Sequence, residues 1–249
     1  MMAEINSATT SFLKRHITDF FVSLHFLFVF DCIHDIRIVT MAINECVWLI
    51  VKGLVATIAI SALALAIGAL VGWGVYRLSQ SPRGWVRKAA QWWKVVVRGT
   101  PLVVLLLVVF YLLLGGRFPI LAASIALGLV FSNFVASILQ SSIDAVGRGQ
   151  LEAGLMLGFS RRQAMRHIVL PQALRIGMPA YKFQAVSIVK GTSIVGYVAI
   201  QDLTLAAQAI RSGTGNDLLP LLAATLIYFL LAWLLNKLLD FVLLKMSAV

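Results

Sequence analysis

The sequence predicts an all-α membrane protein, and three observations support this fold class. Hydrophobic residues make up 60% of the 249-residue chain and charged residues only 12%. The mean hydropathy is +0.93. Apolar runs long enough to cross a bilayer alternate with short basic segments, which leaves little sequence for a separate water-soluble core. We therefore predict one helical membrane domain.

The first half of the chain contains three predicted spans. An uncharged run at about residues 53–76 is long enough to cross the bilayer as a helix. Thr100 and Pro101 predict the start of a second, shorter span, since Thr caps helices and Pro favours their first turn. A tight Gly-Gly turn separates that span from a third one at about residues 120–139.

The second half contains two more apolar runs, at about residues 176–200 and 218–235. Basic residues concentrate in the segments that follow the first and third spans: Arg77, Arg83, Arg87, Lys88, Lys94 and Arg98 in one, and Arg148, Arg161, Arg162, Arg166 and Arg175 in the other. Positive charge favours the cytoplasmic side of a membrane. We expect about five transmembrane helices with the N-terminus outside, and both basic segments and the C-terminus inside.

The beginning of the chain, residues 1–45, is expected to be a poorly defined extension of a membrane domain at residues 46–249. Its apolar run, Phe20 to Phe30, is too short to cross as a helix and is followed by Asp31. No convincing cleavage pattern follows it, so an interfacial segment or a start codon placed too early is favoured over a cleaved signal. Met41 is the alternative start.

The sequence shows no recognisable catalytic motif. Cys32 and Cys46 lack metal-ligand spacing, the four histidines are scattered, and no nucleophile motif, phosphate-binding loop or carboxylate pair is present. The formal net charge of +11 lies mainly in the inter-helix segments, which indicates topology rather than nucleic-acid binding. We expect no enzyme activity, metal or cofactor on this chain, so that any ATP with its Mg is bound by another polypeptide.

One polar segment between the third and fourth spans contains several residues that begin or interrupt helices. Residues 152–171 read E-A-G-L-M-L-G-F-S-R-R-Q-A-M-R-H-I-V-L-P, and we call them the elbow. No bilayer could hold this segment, so it lies in water beside the membrane. Its arginines are compatible with a hairpin that lies on anionic lipid headgroups. Its helix-breaking and helix-capping residues favour instead a segment of defined shape that docks on another protein.

Five positions define the predicted shape of the elbow. Glu152 is placed near the start of a short helix, where a carboxylate complements the helix dipole. Gly158 is expected to take a positive φ and interrupt that helix. Ser160 and Gln163 have the spacing of a capping box for a second helix, which Pro171 ends or redirects. The prediction is two short helices joined by a rigid turn.

Four motifs then resemble a known family. The spacing E-A-x-x-x-x-G, nine residues, I-x-L-P resembles the E-A-A signature of the permease subunits of bacterial ATP-binding-cassette importers, with Gly154 at the second alanine. Arg98–Leu102 resembles the R-G-T-P-L motif of the polar amino-acid permeases. Residues 190–194 are similar to their K-D-T-S-L, and residues 206–208 to their A-A-Q. The likeness runs from about Lys52 to the C-terminus.

The resemblance implies a type I importer fold in the bacterial inner membrane. Two permease subunits, identical or paralogous, would enclose a path for an amino acid or related small polar solute, with lipid around them. Two copies of a cytosolic ATPase would dock beneath, and a periplasmic solute-binding protein would deliver the substrate. Residues 144–175 would be the coupling segment, and the coupling residues would be Glu152, Ala153, Gly154, Gly158, Ser160, Arg161, Arg162 and Pro171.

Polar side chains inside the spans are candidates for the translocation path, because burying them in lipid is costly. They are Ser132, Asn133, Gln184, Lys190, Thr192 and Ser193. Ordinary helix packing is the alternative for the hydroxyl side chains. A substrate carboxylate could bind Lys190, although snorkelling to an interface or pairing with a neighbouring subunit would also explain this lysine.

Two departures from the family pattern concern selectivity. Ser137 and Gly191 stand where the family usually has acidic residues, which argues against a cationic substrate while leaving the coupling pattern intact.

Other classes of membrane protein are less well supported: a secondary transporter often shows inverted repeats, a channel needs a selectivity filter, and a membrane enzyme needs paired ionisable groups. Inspection of the sequence finds none of these.

Overall fold

The computed structural model describes residues 44–214 and 218–247, which are helical throughout apart from short connections and contain no strand. The helices are α1 (Asn44–Ser79), α2 (Gly84–Gly99), α3 (Leu102–Leu107), α4 (Pro119–Val146), α5 (Arg148–Met156), α6 (Arg161–Ala164), α7 (Leu170–Gly191), α8 (Leu203–Thr214) and α9 (Leu219–Ser247). The all-α prediction is confirmed.

Residues 1–43, with Met41 and Cys32, lie outside the described part of the chain, so their assignment as an extension stays a prediction. The contacts divide the chain into two units, Met1–Leu49 and Ile50–Val249.

Three helices of the described chain are long and apolar enough to cross a bilayer alone: α1, α4 and the Leu219–Val242 part of α9. Two bent helix pairs raise the number to five if each pair forms one span. The first pair is α2 with Leu102–Leu113, bent by 109°, and the second is Arg161–Val198 with α8, bent by 56°. An upper limit of five agrees with the number predicted from the sequence.

The 109° bend comes from two consecutive extended residues. Thr100 has ψ 124° and Pro101 has ψ 138°, as expected for a proline and the residue before it. Thr100 was predicted to cap the second span, and this is wrong. Instead, Thr100 ends α2, because its amide and its hydroxyl both donate to the Val96 carbonyl, at 3.1 Å and 2.8 Å.

The core lies around α4, which packs against α1, α3 and α7. Glycines permit the close approach of α1: a Cβ on Gly68 would lie 2.7 Å from the Gly128 carbonyl oxygen, and one on Gly72 would lie 2.6 Å from that of Ser132. Small residues let membrane helices pack at such distances. On the other side, the Phe131 ring meets the Tyr181 ring of α7 edge to face, with centroids 5.4 Å apart.

Short non-α segments adjust the ends of these helices. A π-helical segment, Val108–Leu113, continues α3, and another, Met165–Val169, joins α6 to α7. A 3₁₀ segment, Thr192–Val198, leads from α7 towards α8. The helical path from α6 into the core of the protein is therefore unbroken, with one widened turn.

Candidate functional site

The elbow forms two short helical arms, α5 and α6, joined at Gly158. Gly158 has φ +84°, a conformation in which L side chains are strained. The Ser160 hydroxyl accepts from the Gln163 amide at 3.3 Å, and the Ser160 amide donates to the Gln163 side chain at 2.9 Å. The predicted interruption and the predicted capping box are both confirmed.

Gly154 determines how closely the two arms approach each other. A Cβ at this position would lie 2.9 Å from the Ala164 Cβ and 2.8 Å from the Ile168 Cδ1. Real Cβ atoms avoid contacts this short, so the arms could not keep their present packing around an alanine. Gly154, which replaces the family's second alanine, therefore allows α5 to pack closely against α6 and the turn that follows it.

The dipole interpretation of Glu152 is wrong. The helix α5 begins at Arg148, directly after Gly147, whose φ is +81°. Glu152 is therefore the fifth residue of α5, beyond the first turn, and its side chain is exposed. The favourable charge–dipole interaction falls off within the first turn, so it does not explain this carboxylate.

Pro171 was predicted to end or redirect the second helix, and the first of these alternatives is wrong. Arg161–Val198 forms one continuous helical path, in which Pro171 is the second residue of α7. The turn before it is π-helical: the Leu170 amide donates to the Met165 carbonyl, five residues back. A proline lacks the N–H that an α-helical ladder needs, and the wider turn allows the helix to continue past that gap. The second arm of the elbow is consequently continuous with a transmembrane helix.

The tip of the elbow is apolar and exposed. Met156 has 89% of its surface exposed and Leu157 has 76%, and Phe159 on the other side of Gly158 is also exposed. Arg161 and Arg162, at the start of α6, are exposed beside them, as is Ala153 in the first arm. The family-like motif does not include these apolar residues, and sequence reasoning overlooked them. An exposed apolar patch bordered by arginines has the composition of a surface that binds another protein.

Three of the path candidates are buried in the helix packing. Ser132 and Thr192 are fully buried, and their hydroxyls donate to carbonyls of their own helical turns, those of Leu129 at 2.6 Å and Val189 at 2.8 Å. Asn133, also buried, donates to the Lys94 carbonyl at 3.2 Å and so ties α4 to α2. These contacts match the helix-packing alternative.

Two other candidates meet at a cavity of about 660 Å³ between α7, α8 and α9. Lys190 and Ser193 line it from one side, and Thr204, Tyr228 and Asn236 contribute polar groups from the others. Gln184 is half-buried and does not line this cavity. No acidic side chain of the described residues is among those lining it.

Gly191 does not face this cavity. A Cβ there would lie 3.3 Å from the Leu127 Cδ2, so a side chain at this position points towards the core. The absence of an aspartate at 191 therefore removes no charge from the cavity wall in this arrangement. Ser137, the other position that lacks an acid, donates to the Asn133 carbonyl at 2.9 Å.

Sequence reasoning missed the buried carboxylate beside the cavity. Asp202 is fully buried and caps α8, since its carboxylate accepts from the amides of Thr204 at 3.1 Å and Leu205 at 2.9 Å. The Tyr228 hydroxyl donates to it at 3.0 Å. A signal was available, because an aspartate directly before an apolar helix is a preferred N-cap.

The spans, the elbow and the cavity together define the permease domain of a type I ABC importer. Residues 64–247 match the family described as the binding-protein-dependent transport system inner membrane component. The chain belongs to this family, and it is therefore a membrane permease component of an importer that works with ATPase and binding-protein partners.

Individual relatives agree with this family. The chain is 27% identical to the putative glutamine transport system permease protein of Rickettsia felis over 191 residues, 75% of this chain and 88% of the relative. It is 32% identical to the arginine transport system permease protein of Bacillus subtilis, over 75% of this chain and 87% of that one. A crystal structure of an amino acid ABC transporter with histidines matches with a TM-score of 0.73 and 30% identity, over 82% of this chain and 97% of its own.

Proposed function

We propose that this permease carries an amino acid or a related small polar solute across a bacterial inner membrane. Relatives named for glutamine and arginine transport support this substrate class. In the proposed complex, two permease subunits, identical or paralogous, enclose the path, and a periplasmic binding protein delivers the solute. Two copies of a separate ATPase bind ATP and Mg, so that this chain needs no nucleotide site or cofactor of its own.

The elbow is the proposed contact with the ATPase. The main support for this assignment is that its second arm continues into α7 without a break. Met156 and Leu157 would enter an apolar groove of the partner, with Arg161 and Arg162 at its edge. A bilayer is a poorer explanation of this tip, because the capping box and Gly158 fix one shape that a lipid surface does not require. Docking at the tip would therefore act directly on a transmembrane helix.

The proposed mechanism is a shift between two arrangements of the spans. Closure of the ATPase dimer moves the elbow, and the elbow moves α7, which packs against α4 and α9. The capping box and the close contact at Gly154 keep the arms from flexing, so the displacement is not lost within the elbow. ATP binding favours one arrangement only to the extent that the ATPase holds the elbow more tightly in it.

The cavity between α7, α8 and α9 is the proposed substrate contact within this subunit. The Lys190 ammonium can pair with a substrate carboxylate, and the hydroxyls of Ser193 and Tyr228 can accept hydrogen bonds from a substrate ammonium. Since no carboxylate of the described chain lines the wall, a second positive charge on the substrate would have no partner there. Neutral or acidic amino acids are therefore the proposed cargo.

Uptake by the reconstituted complex tests this proposal. The permease, its ATPase and its binding protein are placed in proteoliposomes, and ATP-dependent accumulation of labelled amino acids is measured. We expect uptake of neutral or acidic amino acids that stops when the ATPase is omitted. Exclusive uptake of arginine or lysine would overturn the charge preference, and uptake that persists without the ATPase would indicate a secondary transporter.

A further inference from the structure

The helix α2 presents three distinct faces. One face packs on the protein through Ala90 and Val97, which are buried, and Trp93, which is half-buried. The Lys94 carbonyl on this helix also accepts the bond from Asn133 of α4. The position of α2 on the core is therefore fixed, and its two other faces are turned outward.

The second face is a basic stripe of Arg87, Lys94 and Arg98. These residues are spaced at i, i+7 and i+11, so they lie on one side of the helix. The described carboxylates form no ion pair with any of them, and α2 itself has no acidic residue. The stripe is thus a row of cations that lacks an anion in the described chain.

The third face is apolar and aromatic. Trp85 is 72% exposed and Trp92 is 69% exposed, and Val96 is exposed beside them. These three residues repeat the same i, i+7, i+11 spacing on a different side of the helix. Tryptophan is enriched where membrane proteins cross from hydrocarbon to headgroups, because its ring is apolar and its N–H is polar.

The direction of α2 places both outward faces at a membrane surface. The Thr100–Pro101 bend turns α2 by 109° from Leu102–Leu113, a segment whose uninterrupted apolar composition is that of a membrane-embedded helix. A helix nearly perpendicular to a span lies along the bilayer surface. Separate apolar and basic faces are the pattern of interfacial helices, whose apolar side enters the acyl boundary while the cations reach the headgroups.

We propose that α2 is a membrane-surface helix with a binding site for anionic phospholipid headgroups of the cytoplasmic leaflet, formed by Arg87, Lys94 and Arg98 above a tryptophan anchor. The shared chemistry is a phosphate group held by two or three cations. A lipid is favoured over a soluble phosphate because the same helix carries Trp85 and Trp92 on the side opposite the stripe, as exposed apolar surface that a soluble anion would leave in water. This inference does not depend on the substrate.

Brominated lipids test the proposal on the full-length protein. The permease is reconstituted in vesicles containing either brominated phosphatidylglycerol or brominated phosphatidylcholine, and quenching of tryptophan fluorescence reports which lipid occupies the surface. Changing Trp48, Trp73 and Trp233 to Phe leaves α2 as the main source of the signal. We expect phosphatidylglycerol to be preferred by at least tenfold, since each cation near an anionic surface contributes roughly a fivefold increase in affinity.

Substituted proteins identify the site. Arg87→Gln, Lys94→Gln and Arg98→Gln together should abolish the preference, and Arg98→Gln alone should lower it by about fivefold. Because these side chains are wholly or partly exposed, their replacement should leave the fold intact, and monodisperse elution of each variant checks this. The matched control changes Arg161, Arg162 and Arg166 of the elbow to Gln, which removes the same charge and should leave the preference unchanged.

Three results would overturn the proposal. Loss of the preference in the elbow variant, with the α2 variant unaffected, would assign the lipid site to the elbow. Abolition by millimolar inorganic phosphate would indicate a site for soluble anions. An α2 variant that keeps its lipid preference but no longer co-purifies with the ATPase would make the stripe a protein-docking surface.

Discussion

Lys182 of α7 and Asp240 of α9 form an ion pair that joins two transmembrane helices. Their side chains are 22% and 45% exposed, so this side of the two helices is not closed by the chain itself. Charged groups inside membranes face water or protein far more often than lipid. The pair therefore links α7 to α9 on a side that other parts of the described chain leave partly open.

Removal of one member of this pair should destabilise the protein. We expect Lys182→Met or Asp240→Asn alone to lower the free energy of unfolding by about 1–2 kcal/mol, less than for a fully buried pair because both side chains are partly exposed. Lys182→Met combined with Asp240→Asn should recover much of the loss. Thermal unfolding of the four proteins in detergent forms a double-mutant cycle. Strict additivity would show that the pair contributes nothing.

Substitution of Gly158 should block transport without blocking insertion. We expect Gly158→Asp to abolish uptake, because an L residue at φ +84° costs about 1–2 kcal/mol and a carboxylate would crowd the docking tip. The matched control is Gly149→Ala, where a Cβ meets nothing within 4 Å and the backbone φ is not positive. Uptake is compared at equal membrane levels of the protein. Normal uptake by Gly158→Asp would refute the assigned role.

Addition of a single methyl group at Gly154 should strain the elbow. Gly154→Ala places a Cβ 2.8 Å from the Ile168 Cδ1, and we expect a loss of about 1–3 kcal/mol from overpacking. Ile168→Val removes that Cδ1 and should restore part of the loss in the double variant. The contact with the Ala164 Cβ would remain, so full recovery is not expected. Equal melting temperatures for Gly154→Ala and the unchanged protein would contradict the close packing between α5 and the Ala164–Ile168 turn.

Loss of the cap on α6 should loosen the second arm. Ser160→Ala is expected to cost about 1 kcal/mol and to speed hydrogen exchange at the Gln163 amide, which loses its acceptor. Ser160→Asp, which also caps helices, should restore slow exchange. Coupling is measured as solutes transported per ATP hydrolysed by the reconstituted complex. A Ser160→Ala variant with unchanged exchange and unchanged coupling would mean that the cap is dispensable.

The sequence was most informative where the signal is local. The φ of Gly158 and the Ser160–Gln163 capping box follow from residue types a few positions apart, and the five apolar runs follow from composition. The errors at Glu152 and Pro171 came from backbone details that local patterns do not determine. A helix start at Arg148 shifted Glu152 out of the first turn, and the π turn at Met165–Val169 carried the helix through a proline.

Long-range contacts could not be predicted in the same way. Lys182 and Asp240 are 58 residues apart, and Asp202 and Tyr228 are 26 residues apart. These pairs form only because α7, α8 and α9 pack with a particular rotation, which a single sequence does not specify. The path candidates show the same limit, since Ser132 and Ser193 are equally polar in the sequence, yet one is buried in the core and the other lines a cavity.

The π turn between α6 and α7 also sets an angle. A π turn accommodates one residue more than an α-helical ladder would, and each residue of an α-helix adds a rotation of about 100°. The extra residue therefore fixes the direction in which the elbow, with Met156 and Leu157 at its tip, is aimed relative to the faces of α7. Two permeases can share the same elbow motif while only one contains this turn. Their tips would then point in different directions around the axis of α7.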